Sequence, residues 1–372
     1  MIFTVFCAST SAELGWQSQL LAHSWVRAGQ PGELVRLVAS TSSDVAPCHP
    51  RARDVKTTPW SPHPYTGEVY APYNKAAALM EWLFVEPVEG TVLLLEPSFV
   101  FRAPVTDEVR PGEAKATAWA EMPRGEGPLG LPVGFEFLEQ FCVDRAMTLP
   151  PVTLPLLIHT TDLRKIAARW LELMSLIRIE TGQGTAAVTN ADQIAYAIAA
   201  TESGITHTNV ALRVTTDAGE TQAPILDCRQ PVLAPDGTTV WDAGKYAPWD
   251  VVPVESARPG VGRELLGLLG EMAARHEPSQ KLAFLKPRRL QGVREGKILG
   301  SLFLEIPGRA DTVSLNSSGA AIWEVCDGSH SVAEINQRLE SRFEMTPGSL
   351  QADIEVVIKR LEDIGALRLE TI

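Results

Sequence analysis

The sequence predicts an α/β protein followed by a small domain of a different kind. In the first part of the chain, short runs rich in β-forming residues alternate with helical patterns, as expected for a sheet covered by helices. From about residue 284 onward, the pattern changes to a β-hairpin followed by three helices. That order of elements predicts a winged-helix domain.

The α/β part is predicted from strands and helices that follow one another along the chain. The predicted strands are residues 2–7, 34–38, 91–95 and 210–214. The predicted helices are residues 16–25, 75–84, 163–171, 192–200 and 265–274. The third of these helices has apolar residues at intervals of three and four, and Thr161 can cap it.

The C-terminal part has its own signals. The β-rich runs 298–306 and 312–315 predict the hairpin, and Asn316 can cap the helix that follows. Ser331 and Glu334 have the spacing of a capping box at the start of a second helix, and a third helical pattern ends the region. A break rich in proline and glycine separates the two parts. We therefore predict a first domain at 1–255, a helical linker at 256–283 and a second domain at 284–372.

Composition excludes several classes of protein. The 372 residues are 45% hydrophobic and 21% charged, which fits a globular protein of more than one domain. The formal net charge of −12 argues against nucleic-acid binding, because that affinity comes mostly from neutralised phosphates. No apolar run approaches the roughly 18 residues needed to cross a bilayer. The five scattered cysteines fit a reducing compartment, so we expect a cytoplasmic protein without nucleic-acid or membrane partners.

A long motif lies in the C-terminal part. Residues 313–335 read VSLNSSGAAIWEVCDGSHSVAEI, and the pattern continues through Asp353 and residues 361–367. Over roughly residues 284–372 this sequence resembles the PqqD-like peptide chaperones of pyrroloquinoline quinone biosynthesis. That family is the prototype of the recognition element for precursor peptides that are made ribosomally and then modified (RiPPs). The resemblance implies binding of a leader peptide.

A leader peptide can add as an extra strand beside residues 312–315, where main-chain hydrogen bonds supply affinity. We predict that Val313, Leu315, Asp353 and Val357 line its groove. The alternative is that the apolar side chains of this region, Leu315 among them, simply form the domain core. DNA binding, the other common role of a winged helix, is disfavoured because ten acidic and five basic residues follow from position 313 onward.

A second resemblance covers roughly residues 1–250. Short segments occur in the order seen in the hydroxyproline O-arabinosyltransferase and peptidyl-serine galactosyltransferase family. They are WQS at 16–18, GQPGELVRL at 29–37, HPYTG at 63–67, APYNK at 71–75, EWL at 81–83, 93–104, HTTDLR at 159–164, WL at 170–171, AYAIAA at 195–200 and PILD at 224–227. This resemblance implies a nucleotide-sugar transferase domain of the GT-A type.

Transferases of that type hold the donor diphosphate through a divalent cation bound by an Asp-x-Asp motif at the end of a central strand. Here Glu96 keeps one carboxylate and Ser98 replaces the other, while Asp227 aligns with a histidine of the relatives. The resemblance implies Glu96 and Asp227 as ligands of Mg²⁺ or Mn²⁺. It also implies Asn74, Lys75, Glu96 and Ser98 as contacts of a UDP-sugar donor. Glu96 and Asp227 could equally be relics of a lost site. Asn before a helix is more often a cap, and an exposed Lys is usually a solvated charge, so Asn74 and Lys75 have these structural alternatives.

Together these observations predict a RiPP maturation protein that binds a leader peptide and glycosylates the attached core peptide. Tethering would raise the core peptide to a roughly millimolar local concentration, so a weak acceptor site would suffice. No residue can be nominated as the catalytic base. The alternative is a catalytically inactive adaptor, without metal or donor, that presents the precursor to a separate modifying enzyme. The lost second carboxylate favours the adaptor, and the retained APYNK segment favours the transferase.

Overall fold

The computed structural model describes most of the chain. The described residues are 1–8, 12–41, 45, 47–118, 129, 136–142, 147–181, 190–216, 222–243, 252–274, 282–298, 301–309, 311–343, 345 and 350–370. The chain divides into two compact units, one of residues 1–10 and 17–228 and the other of residues 11–16 and 229–372. The domain boundaries drawn from the sequence stay a prediction.

The first unit is built on a mixed sheet. Its strands are β1 (Ile2–Ala8), β2 (Glu33–Ala39), β3 (Ala52–Thr57), β4 (Thr91–Leu95), β5 (Phe99–Phe101), β6 (Glu113–Ala118), β7 (Val152–His159), β8 (Thr206–Asn209), β9 (Arg213–Thr215) and β10 (Ile225–Asp227). Seven of them form a sheet in the order β3-β2-β1-β4-β7-β6-β8, and β5, β10 and β9 form a smaller one. Strands β3, β2, β1 and β4 run parallel, whereas β7 is antiparallel to both β4 and β6.

In the described part of this region, four α-helices alternate with these strands along the chain. They are α1 (Ala12–Arg27), α2 (Tyr73–Val85), α3 (Thr160–Thr181) and α4 (Ala191–Glu202), and a short 3-10 helix spans Glu136–Phe141. Helix α3 buries Leu163, Ile166 and Trp170, the positions that its spacing placed on one face. These side chains join α2, α4 and the sheet in one hydrophobic core. The α/β class predicted from the sequence is therefore confirmed.

The described residues of the second unit form three small sheets and four α-helices. Its strands are β11 (Val232–Leu233), β12 (Thr239–Trp241), β13 (Lys286–Arg289), β14 (Arg294–Ile298), β15 (Ser301–Glu305), β16 (Thr312–Leu315) and β17 (Leu367–Glu370). Its helices are α5 (Val261–Ala273), α6 (Ser317–Val325), α7 (Val332–Arg342) and α8 (Gln351–Asp363), with a 3-10 turn at Val254–Ser256. Strand β11 pairs with β12, β13 pairs with β17, and the third sheet has the order β14-β15-β16.

The caps predicted in this unit are present. The Asn316 side chain accepts a hydrogen bond from the Gly319 amide at 2.8 Å and begins α6. Ser331 and Glu334 form both bonds of the capping box at the start of α7. One predicted run is divided: residues 298–306 belong to two strands, because the chain reverses where Ile298 pairs with Ser301. Within the described residues, no helix combines the length and apolarity that crossing a bilayer requires.

Candidate functional sites

The first site lies where parallel strands of the large sheet end. Strands β1 and β4 are parallel neighbours, so their carboxyl ends share one edge of the sheet, and Glu96 directly follows β4. Ligands of α/β proteins commonly bind outside this edge. Helix α2 begins nearby and carries Asn74 and Lys75 in its first turn.

Lys75 is held between two carboxylates at this edge. Its ammonium lies 2.8 Å from Glu96 Oε1 and 2.6 Å from Asp192 Oδ2, which is in the first turn of α4. The Lys75 and Asp192 side chains are only 9% and 7% exposed, whereas that of Glu96 is 33% exposed. The fold therefore brings together Lys75 and Glu96, two of the residues predicted from the sequence to contact a donor. It adds a third residue, the buried Asp192.

The trio has no excess of positive charge, because two carboxyl groups surround one ammonium. Burial alone would lower the pKa of the Lys75 ammonium, but Asp192 and Glu96 raise it above its usual value, so the group stays protonated. Two carboxylates then face one cation. The positive charge of Lys75 is therefore already compensated. An incoming diphosphate could contact this ammonium only by moving one of the carboxylates aside.

A small cavity lies beside the trio. It has a volume of about 20 Å³, and Lys75, Asp192, Trp170 and Tyr196 are among its lining residues. The Asp192 Oδ1 atom is buried and has no hydrogen-bond partner among the described residues. A space of this size has room for about one water, which could satisfy that oxygen, and none for a nucleotide sugar.

The amide of Asn74 holds the preceding loop in place. Its Oδ1 atom accepts hydrogen bonds from the backbone amides of Trp60 at 2.6 Å and Ser61 at 2.9 Å. Helix α2 is capped at Pro72 without a side-chain bond, so Asn74 is not its cap. The oxygen that could have recognised a donor is thus engaged in positioning the chain.

Ser98 lies opposite Cys228, the residue that follows Asp227, and the strand partner of Asp227 is Phe99. The carbonyl of Ser98 accepts a hydrogen bond from the Cys228 amide at 3.0 Å. The Ser98 hydroxyl is buried without a partner in the described part of the chain. The Asp227 carboxylate lies 3.5 Å from the Arg213 guanidinium. Ser98 is therefore near the second predicted metal ligand.

These residues do not fit a divalent cation. Glu96 already faces the Lys75 ammonium, and Asp227 faces the Arg213 guanidinium. Among the residues that the structure describes, no group of three or more His, Cys, Asp and Glu side chains could hold a metal ion. A divalent cation would be repelled by the Lys75 ammonium and the Arg213 guanidinium, and it would have to displace them from these two carboxylates.

The second site is the outer edge of β16. This strand pairs with β15, where Val313 lies opposite Leu304 and Leu315 lies opposite Leu302. No other described strand pairs with it. Its sequence, TVSL, carries no charge. At the opposite edge of the same sheet, β14 carries charged residues of the kind that protect an edge from pairing. The β16 edge is therefore the one suited to accept another strand.

A groove lies between β16 and helix α8. Its volume is about 240 Å³. The lining residues are Val313, Ser314, Leu315, Asn316, Gly319, Val357, Arg360, Leu361 and Ile364. Three of the four predicted peptide contacts, Val313, Leu315 and Val357, therefore line one groove. Asp353 is exposed and lies one turn before Val357 on α8, outside the lining.

Several residues of these sites were not found by sequence reasoning. The sequence predicts Asp192 at the start of a helix, and nothing in its spacing links it to Lys75. Arg213 likewise carries no local signal that it faces Asp227. Arg360 could have been found, because it lies three residues after Val357 and so on the same side of the helix.

Comparison with known proteins gives one family match in the second unit. Residues 305–367 match PqqD, the coenzyme PQQ synthesis protein D. A similar solved structure is the PqqD truncation of Methylobacterium extorquens PqqCD, a stand-alone RiPP recognition element. It is 27% identical, covers 22% of this chain and 87% of its own, and has a TM-score of 0.20.

The first unit is similar to galactosyltransferases. A peptidyl serine alpha-galactosyltransferase of Arabidopsis thaliana is 26% identical over 220 residues, which is 55% of this chain and 27% of the relative. The chain thus spans about a quarter of that relative's length. The solved structure of the galactosyltransferase LgtC with donor and acceptor sugar analogs covers 75% of this chain and 98% of its own, at 12% identity and a TM-score of 0.46. The PqqD and Arabidopsis sequence matches confirm both resemblances and agree with the predicted fold class.

Proposed function

We propose that this protein acts in the maturation of a ribosomally made peptide. Its PqqD-like element binds the leader segment, and its galactosyltransferase-like unit transfers a sugar from a nucleotide-sugar donor to the attached core peptide. The observation that carries the proposal is the uncharged open edge of β16 beside the groove of α8. The match of residues 305–367 to PqqD supports it.

Leader binding follows from the physics of an edge strand. Alternate residues of β16 direct amide and carbonyl groups away from β15, and an extended peptide can pair with them. Apolar side chains of that peptide can enter the groove against Val313, Leu315 and Val357, which supplies selectivity. Asp353 would meet the peptide next to the groove. The acidic balance of this region disfavours nucleic acid as the occupant.

The leader proposal is tested with two neighbouring valines of α8. Val357 lines the groove, whereas Val356 is 66% exposed and lies outside the lining. Synthetic leader peptides from open reading frames beside the gene are titrated against full-length protein. We expect Val357→Asp to weaken binding at least about tenfold, because it places a charge where an apolar side chain docks. Val356→Asp should bind as the unchanged protein does. Equal binding by both variants would exclude the groove.

Glycosyl transfer is supported by the similarity of the first unit to a peptidyl serine galactosyltransferase. Tethering through the leader would keep the core peptide at roughly millimolar local concentration. Asn74, Lys75, Glu96 and Ser98 remain the proposed donor contacts. The Mg²⁺ or Mn²⁺ expected at Glu96 and Asp227 is not part of this proposal, because each of those carboxylates faces a protein cation. Donor binding at Lys75 requires the Glu96 side chain, the more exposed of the two carboxylates, to swing away.

A second candidate function is an inactive adaptor that presents the precursor to a separate modifying enzyme. The Lys75 ammonium, already paired with two carboxylates, and the pairing of Asp227 with Arg213 favour it. Thermal unfolding with and without UDP and Mn²⁺ separates the two functions. A donor present at about 100 times its Kd stabilises a transferase by about 2.7 kcal/mol. An adaptor shows no shift at any UDP concentration.

A further inference from the structure

The groove beside β16 carries one cation among aliphatic side chains and the uncharged polar residues Ser314 and Asn316. Among the described residues that line it, Arg360 is the single charged side chain. The others that face the space are aliphatic or small and uncharged. A peptide that filled this groove would therefore cover apolar surface and one guanidinium together.

The guanidinium of Arg360 has no counter-charge of its own. In the described part of the chain, no carboxylate oxygen lies within 4.0 Å of it, whereas the adjacent Lys359 pairs with Glu362 at 2.6 Å. Other polar side chains of α8 are also engaged, as Gln351 is with Glu355. Arg360 is thus the basic group of this helix that points into the groove and remains available to a ligand.

Covering this cation has an energetic consequence. A docked peptide removes water from the guanidinium, and a carboxylate offsets that cost better than a neutral acceptor does. Arginine presents a planar fork of N–H donors that matches a carboxylate in a bidentate pair. A peptide with a basic residue at the same place would meet repulsion instead. The groove therefore discriminates by charge as well as by apolar fit.

We propose that the groove selects extended peptides in which an aspartate or glutamate lies over Arg360 and apolar side chains lie against Val313 and Val357. This specificity rests on the proposed leader binding and names the class of leader it takes. The pair between the acidic residue and Arg360 fixes how the bound peptide aligns with β16. Apolar contacts alone would allow the peptide to shift along the strand.

The test uses a phage library of random linear peptides selected on full-length protein. Peptides selected on the unchanged protein should be enriched in Asp and Glu relative to the unselected library. Selection on Arg360→Glu should lose that enrichment and favour Lys and Arg. The matched control, Lys359→Glu, makes the same charge change one residue away and should select as the unchanged protein does. An acidic peptide from the first selection should bind Arg360→Glu at least about fivefold more weakly.

Two results would overturn the specificity while leaving leader binding intact. The peptides that depend on the groove could show no enrichment in Asp and Glu, or the Arg360→Glu variant could select the same peptides as the unchanged protein. Groove dependence is read from Val357→Asp. Peptides that bind Val357→Asp as well as the unchanged protein do not use the groove. That result would refute leader binding at this site and the specificity with it.

Discussion

The buried trio of Lys75, Asp192 and Glu96 makes a sharp prediction about stability. Replacing Lys75 with methionine keeps an unbranched side chain, shorter by one atom, and removes its charge. Asp192, whose side chain is 7% exposed, then becomes an uncompensated carboxylate in the interior. Removing one partner of a buried ion pair costs about 3–5 kcal/mol, so Lys75→Met should lower the free energy of unfolding by that amount.

The two carboxylates should differ because their exposure differs. Glu96 is one-third exposed, so water can solvate it and Glu96→Gln should cost about 1 kcal/mol or less. The double variant Lys75→Met with Asp192→Asn should recover most of the loss, since it leaves no buried charge unpaired. Lys115→Met is the control for an exposed pair: Lys115 lies 2.7 Å from Asp107, with side chains 34% and 54% exposed, and should cost about 1 kcal/mol or less.

Equilibrium unfolding in urea, followed by circular dichroism, measures these changes. A loss below about 1 kcal/mol for Lys75→Met would refute the reasoning, because a buried pair should cost several times more. A double variant no more stable than Lys75→Met would also refute it. In that case the cost would come from packing and not from the charge left on Asp192.

Two further predictions concern the first unit, which also contains Lys75, Asp192 and Glu96. Burial lowers the pKa of His207 to about 4. As the pH falls, this histidine is therefore protonated in the unfolded chain before it is protonated in the folded protein. Stability should then fall by about 2–3 kcal/mol as pH drops from 6.5 toward 4, and His207→Gln should remove this part of the pH dependence, which His330→Gln leaves unchanged. Gly32 has a φ of +94°, and an added Cβ would lie 1.9 Å from the Ile2 carbonyl oxygen, whereas Gly29 has a φ of +65° and open space. Thermal or urea unfolding should show Gly32→Ala to be less stable than Gly29→Ala by about 1–3 kcal/mol.

Much of the second unit could be predicted from local signals. The capping box of Ser331 and Glu334 depends on residues three apart, so it is visible in the sequence. The edge position of β16 follows from its place at the end of a meander of consecutive strands. The division of residues 298–306 into two strands was missed, because an apolar run does not reveal where the chain reverses.

The sequence alone determined the α/β class, the helix faces, the acidic balance and both family resemblances. Each depends on neighbouring residues or on composition. Only the tertiary structure decided what surrounds Lys75 and Asp227. Their partners come from distant strands and helices, and an ion pair has no periodicity that a sequence can display. Whether a carboxylate is free for a ligand depends on the cation that folding places beside it.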